Sequence, residues 1–155
     1  MKTSTRFLLG FGIGIVALLV VTVVLVLTLK GSPALLPADT PEGVVQRFLM
    51  AIQDQDYQKA YTYLHIEERG SVLSFEDWYQ QTFPPFRNSN QGSWKATLGK
   101  TTRAGNTATA EVFVDVFRPG GPFDNPVQTM TVSYQLTRTS DGWFISERPA
   151  LFWLY

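Results

Sequence analysis

The segment Val127–Thr137, VQTMTVSYQLT, alternates apolar and polar side chains with a period of two. Met130, Val132, Tyr134 and Leu136 point one way, while Thr129, Thr131, Ser133, Gln135 and Thr137 point the other. That is the pattern of a strand in a sheet with one packed and one wet face. Upstream, TATAEVFVDVFR (107–118) keeps the period, with Ala110, Val112, Val114 and Val116 on an aliphatic face and Glu111, Phe113, Asp115 and Phe117 on the opposite one. Before it, Trp94, Ala96 and Leu98 alternate with Lys95, Thr97 and Gly99, and Ala104-Gly105-Asn106 supplies the turn between the two runs. Downstream, Ser140-Asp141-Gly142 makes a hairpin turn into Trp143–Arg148. Connections this short join antiparallel neighbours, because parallel strands need long crossovers. Four strands in a meander are expected.

On the N-terminal side of the sheet the period changes to 3.6. Thr40 is suited to cap a helix, Pro41 to its first position and Glu42 to its first turn, and Val44, Val45, Phe48, Leu49 and Ile52 then form one stripe. Asp54-Gln55-Asp56 interrupts the stripe and offers a second cap, which predicts a helix over about 57–64 with Ala60, Tyr61 and Leu64 inward. After a polar loop at 65–71, Ser74 with Asp77 three residues on reads as a capping box, and SFEDWYQQTF as a third helix stopped by Pro84-Pro85. Helices followed by an antiparallel sheet make an α+β domain of about 115 residues, enough for a core of its own.

The run PEGVVQRFLMAIQDQDYQKAYTYL (41–64) is similar to the opening helices of the NTF2-like superfamily, where a helix ending at an acidic D-Y step leads into one of A-Y-x-x-L type. DGWFISE (141–147) resembles the last strand of that superfamily, as found in membrane-anchored bacterial ectodomains. The resemblance covers roughly residues 41–148. It implies a curved sheet with helices over its concave side and a cone-shaped pocket between them. Enzymes of the superfamily place an Asp, His or Tyr in that pocket for proton abstraction or dehydration, and NTF2-like domains often pair through their sheets. Fold alone does not settle function.

The first 30 residues are of another kind. Residues 7–29, FLLGFGIGIVALLVVTVVLVLTL, carry no charge over 23 residues. As a helix they would reach roughly 34 Å at about 1.5 Å per residue, enough for a hydrocarbon core of about 30 Å. A cleaved signal peptide is the competing reading, but its apolar region is shorter and no small-x-small site precedes Lys30. The 155-residue chain balances 13 Lys and Arg against 13 Asp and Glu, yet Lys2, Arg6 and Lys30 stand without an acid before residue 31, leaving 10 basic and 13 acidic side chains after it. By the positive-inside rule residues 1–6 are expected in the cytoplasm, 7–29 as a single-pass transmembrane helix, 30–40 as a linker and 41–155 as an extracytoplasmic NTF2-like domain at the plasma membrane. The full expectation is α+β: an N-terminal transmembrane helix, then three helices packed on a curved four-stranded antiparallel sheet. No basic face offers itself to a nucleic acid.

Few residues could carry chemistry. With no cysteine, disulfides, thiolate catalysis and Cys-ligated zinc are excluded, and His65, the one histidine, cannot form a multi-histidine metal set. No metal or cofactor is expected. There is no G-x-S-x-G, P-loop or dinucleotide fingerprint. His65 follows the second helix as a general-base candidate or as a solvated loop residue. Asp115 would be a base if its face lines a pocket, and a solvated carboxylate if the aliphatic face of its strand packs inward. Tyr134 sits on the apolar face of its strand and could orient a ligand or be satisfied structurally. Tyr57, Tyr61, Tyr63, Phe75, Trp78, Tyr79, Phe83 and Phe86 cluster in the helical half, so Tyr61 and Trp78, with Tyr134, are candidate ligand contacts as well as core. The tail ALFWLY is too apolar to hang free: it docks, meets a partner or touches the outer leaflet. The leading expectation is a membrane-anchored, non-catalytic domain that binds a protein partner, a second copy of itself or an apolar small ligand. A small lyase or isomerase using Asp115 or His65 with Tyr134 is the alternative.

Overall fold

The computed structural model describes residues 12–24, 34–83, 93–118, 121 and 125–154. The chain divides between Ala34 and Leu35 into two compact units.

In the first unit residues 12–24 form a helix, α1. Among the described residues no helix is long and apolar enough to cross a membrane. This corrects the expected transmembrane helix over 7–29: the described helix is 13 residues, shorter than the roughly 20 a span requires, and 7–11 and 25–29 lie outside the described residues.

The second unit opens with α2, Pro41–Gln53. Thr40 is extended and its hydroxyl accepts from the Gly43 N–H at 3.1 Å, while Val44, Val45, Phe48, Leu49 and Ile52 are buried along one stripe. Leu36 N–H donates to Gln46 Oε1 at 2.8 Å and the Thr40 hydroxyl donates to Pro37 O at 2.9 Å, so the chain ahead of α2 folds back along it. Gly43 makes that approach possible, since a Cβ there would lie 1.9 Å from Pro37 O.

Helix α3 is Tyr57–Tyr61, capped by Asp56, whose carboxylate accepts from Lys59 N–H. It ends three residues before the expected Leu64, because Leu64 forms a parallel bridge to Ile145, with His65 N–H donating to Ile145 O and Ile145 N–H to Tyr63 O, both at 2.9 Å. Two-residue strands β1 (Glu67–Glu68) and β2 (Ser71–Val72) then form a hairpin in the expected loop. Its turn residues Arg69 and Gly70 both have positive φ, 53° and 83°, as a type I′ turn demands. Helix α4, Phe75–Thr82, starts at Ser74, whose hydroxyl accepts from Asp77 N–H. The helix count therefore differs from the expected three plus a span: the described residues hold the shorter α1 inside the expected span and add a 3-10 turn at Phe152–Leu154.

The sheet is a four-stranded antiparallel meander in the order β3 (Trp94–Ala104), β4 (Thr107–Phe117), β5 (Val127–Thr139) and β6 (Gly142–Ile145). A register shift between Leu98 and Thr101 puts a bulge in β3, which bends the strand. Ala108, Ala110, Val112, Val114 and Val116 are buried on β4, with Val132, Tyr134 and Leu136 on β5 and Trp143 and Ile145 on β6. Helix α2 packs on β3, β4 and β6, and its Phe48 meets Tyr134 edge-on at 6.0 Å. The free edge of β6 is covered by the Tyr63–His65 backbone, which leaves β3 as the outer strand on the other side of the sheet.

Candidate functional site

Strand pairing sorts the titratable candidates. Asp115 lies on the face of β4 opposite the aliphatic row, between Lys95 on β3 and Thr129 on β5, and accepts from the Thr129 hydroxyl at 2.6 Å. Phe113 and Phe117 flank it there, 40% and 43% exposed. Tyr134 pairs with Ala110 on the other face, where it is 1% exposed. The sheet thus stands between Asp115 and Tyr134. His65 is in a third place, an open cleft of about 270 Å³ beside Thr137, Phe144 and Ser146, with Nε2 3.4 Å from Glu67 Oε1. Among the described residues no group of His, Asp and Glu is gathered to hold a metal ion.

The aromatic candidates do come together. Tyr61 is half-buried, donates to Leu73 O at 2.7 Å and has its ring 6.0 Å from that of Trp78. Trp78 is 1% exposed and also touches Phe75 and Phe83 at 6.1 and 5.8 Å. Tyr134 belongs to the same continuous buried cluster. Among the described residues, neither the Tyr134 hydroxyl nor the Trp78 Nε1 has a hydrogen-bond partner, and both are buried. Three such groups in one small core, the third being Trp153 Nε1, is a departure from the usual rule that buried polar atoms are paired.

Burial pushes the Tyr134 hydroxyl well above its ordinary pKa of 10, and burial with the neighbouring Tyr79 raises Tyr57 in the same direction. Below about pH 10 these tyrosines are neutral in both folded and unfolded chains. As pH climbs past 10 the unfolded chain ionises first, so stability is lost on the alkaline side. Tyr134→Phe is expected to unfold at a higher pH than the parent, with its neutral stability within about 1 kcal/mol, because no hydrogen bond is forfeited. Melting temperatures between pH 8 and 12 check this; identical alkaline limbs would contradict it.

At the edge of the domain Arg148 and Glu68 pair at 2.5 Å, drawing the Glu68 carboxyl down and the guanidinium up. Next to this pair a cavity of about 210 Å³ lies between α4 and the C-terminal segment, lined by Trp78, Gln81, Arg148, Leu151 and Phe152 among others. Sequence periodicity gave no sign of that cavity. The apolar ALFWLY tail was its one available signal, and Leu151 and Trp153 do dock, at 4% and 2% exposure.

No family model and no curated protein matches the sequence. Solved structures do. A protein of Shewanella frigidimarina described as a candidate ketosteroid isomerase is 20% identical, with 73% of this chain and 96% of that chain covered at a TM-score of 0.48. A cystatin-like-fold protein of Nostoc punctiforme is 14% identical, with 66% and 80% covered at 0.45. An NTF2-like protein of Pseudomonas putida is 15% identical, with 66% and 76% covered at 0.41. Helices leading into a four-stranded antiparallel meander, packed on one face of it, are the architecture already described.

The fold is α+β, with a helix packed on a four-stranded antiparallel meander. The likeness stops there, and the isomerase description belongs to the Shewanella protein. In this domain the space between helices and sheet is occupied by the domain's own side chains, Phe48, Trp78 and Tyr134 the largest fully buried ones.

Proposed function

We propose that the NTF2-like domain is a non-catalytic binding module acting at the cell envelope, whose target is a protein partner or an apolar small ligand. One observation carries the reading: among the described residues no charged or polar side chain is buried, and the interior's titratable group is a tyrosine held neutral at physiological pH. General acid–base chemistry needs a group that exchanges protons near the working pH within reach of a sheltered substrate. Asp115 and His65 face outward in separate places, while the exposed pair Phe113 and Phe117 offers apolar contact to a partner, a second copy of the chain included.

Benzoylphenylalanine placed at Phe113 or Phe117 in living cells is expected to give a discrete photoadduct, unchanged in Asp115→Asn and His65→Asn. If no adduct forms and native mass spectrometry of the purified chain retains no apolar molecule, both kinds of target are ruled out and the reading falls. Loss of the adduct on Asp115→Asn, with stability retained, would instead point to chemistry at that carboxylate.

A further inference from the structure

The outer face of the sheet, turned away from α2, changes character along its length. At one end the cross-strand pair Phe117 and Val127 is apolar and 43% and 44% exposed. At the other end Thr107, Thr137 and Phe144 form one row across β4, β5 and β6. The Tyr63–His65 backbone, bonded to Ile145, sets His65 beside that row, where the cleft of about 270 Å³ is lined by His65, Glu67, Thr137, Thr139, Phe144 and Ser146. All of these but Glu67 are half-buried. Their polar groups have capacity to spare. The Thr137 hydroxyl has no partner among the described residues, the Ser146 hydroxyl donates to Gln135 O at 3.4 Å and keeps its acceptor side, and His65 turns Nε2 toward Glu67 and leaves Nδ1 to the cleft. No Lys or Arg lines the cleft to neutralise an anion, and among the described residues no group of His, Asp and Glu is gathered to hold a cation. A neutral, polar ligand is what remains. Phe144 gives it an apolar wall, with its ring 6.0 Å from that of His65 and inclined to it by 54°. Rings so inclined do not sandwich a flat aromatic base, but they leave a corner for a puckered ring that rests on Phe144 and turns a polar edge to His65 and Glu67.

We propose that this cleft is a saccharide site that takes one neutral pyranose ring. The hydroxyls of a pyranose both donate and accept, which matches a lining of hydroxyls, an imidazole and a carboxylate. Its other face carries C–H bonds whose slight positive charge suits the negative face of the Phe144 ring. The size agrees as well, since the cleft falls just below the range of about 300–1,000 Å³ that holds drug-sized ligands. The site stands apart from Phe113 and Phe117, and neither the partner nor the apolar-ligand arm of the proposed function is needed for it.

Methyl β-D-glucopyranoside, whose axial C–H bonds share one face of the ring, is added to the full chain in detergent micelles and followed by saturation-transfer difference NMR. Transfer is expected to be strongest at those axial protons, and the ring protons of His65 are expected to shift as the glucoside is titrated in. Affinity should fall about fivefold in Phe144→Ala, which removes the apolar wall, and about fivefold in Glu67→Gln, which exchanges a charged hydrogen bond for a neutral one. Sorbitol, which has hydroxyls but no ring face, should bind at least about fivefold more weakly than the glucoside. If Phe144→Ala does not fold, the His65 shifts and Glu67→Gln, at a side chain 70% exposed, decide. Absence of transfer overturns the site, as does transfer that leaves His65 unshifted or that Glu67→Gln does not weaken. Sorbitol binding as well as the glucoside overturns the recognition of a sugar ring.

Discussion

Trp78→Ala is expected to remove about 3–5 kcal/mol from the unfolding free energy, the range for deleting a large buried aromatic side chain. The ring is 1% exposed and sits among Tyr61, Phe75 and Phe83, on an eight-residue helix too short to persist without it. For a domain holding about 5–15 kcal/mol in total, that loss is a large share. Trp78→Phe keeps most of the contact and discards the unpaired N–H, so it should lose less than half as much. Urea unfolding followed by far-ultraviolet circular dichroism measures both. A loss under about 1 kcal/mol for the alanine variant would mean that the site collapses around the gap, contrary to the packing described.

Val112→Asp should be harsher still, with more than about 4 kcal/mol lost and little folded protein recovered. Val112 is fully buried at the middle of β4, opposite Leu98 on β3 and Val132 on β5, and no cation is buried with it. A carboxylate there must either ionise without a partner or stay protonated at neutral pH, and both are costly. Phe113→Thr, one position along and on the other face, is the control, expected within about 1 kcal/mol because threonine suits a half-exposed strand. Some loss is anticipated, since the Phe113 ring lies over Gly99, where a Cβ would come within 2.9 Å of it. Similar losses for the two variants would show that the face assignment is mistaken.

That face assignment was legible in the sequence, because a period of two admits two faces and one was wholly aliphatic. The helix starts were equally plain: Thr40, Asp56 and Ser74 each cap the turn they precede, through bonds only three residues long. What depended on distant chain was not. Tyr57–Tyr61 stops early because Leu64 is drawn to Ile145, 81 positions on, and nothing in the local pattern encodes that bridge. The β1–β2 hairpin escaped notice because two-residue strands have no period to read, though Arg69-Gly70 carried its turn. At the candidate site, the residues of the aromatic cluster could be named from composition. That Asp115 would be fastened to Thr129, and that a cavity would open between α4 and the C-terminal segment, required the register and the path of the tail. The 23-residue apolar run was the reverse case, where composition predicted a membrane span and the described residues hold a helix of 13.

The fold-back of residues 36–40 along α2 has a mechanical meaning. Tension applied to the chain ahead of Leu36 reaches the domain at Gln46, in the second turn of the helix, before it reaches the helix end at Thr40. The load is therefore taken sideways through the Leu36–Gln46 bond, with the Pro37 carbonyl bearing on the bare backbone of Gly43, and α2 is not pulled first from its end. A side chain at position 43 would act as a wedge in that joint, turning a clamp into a hinge.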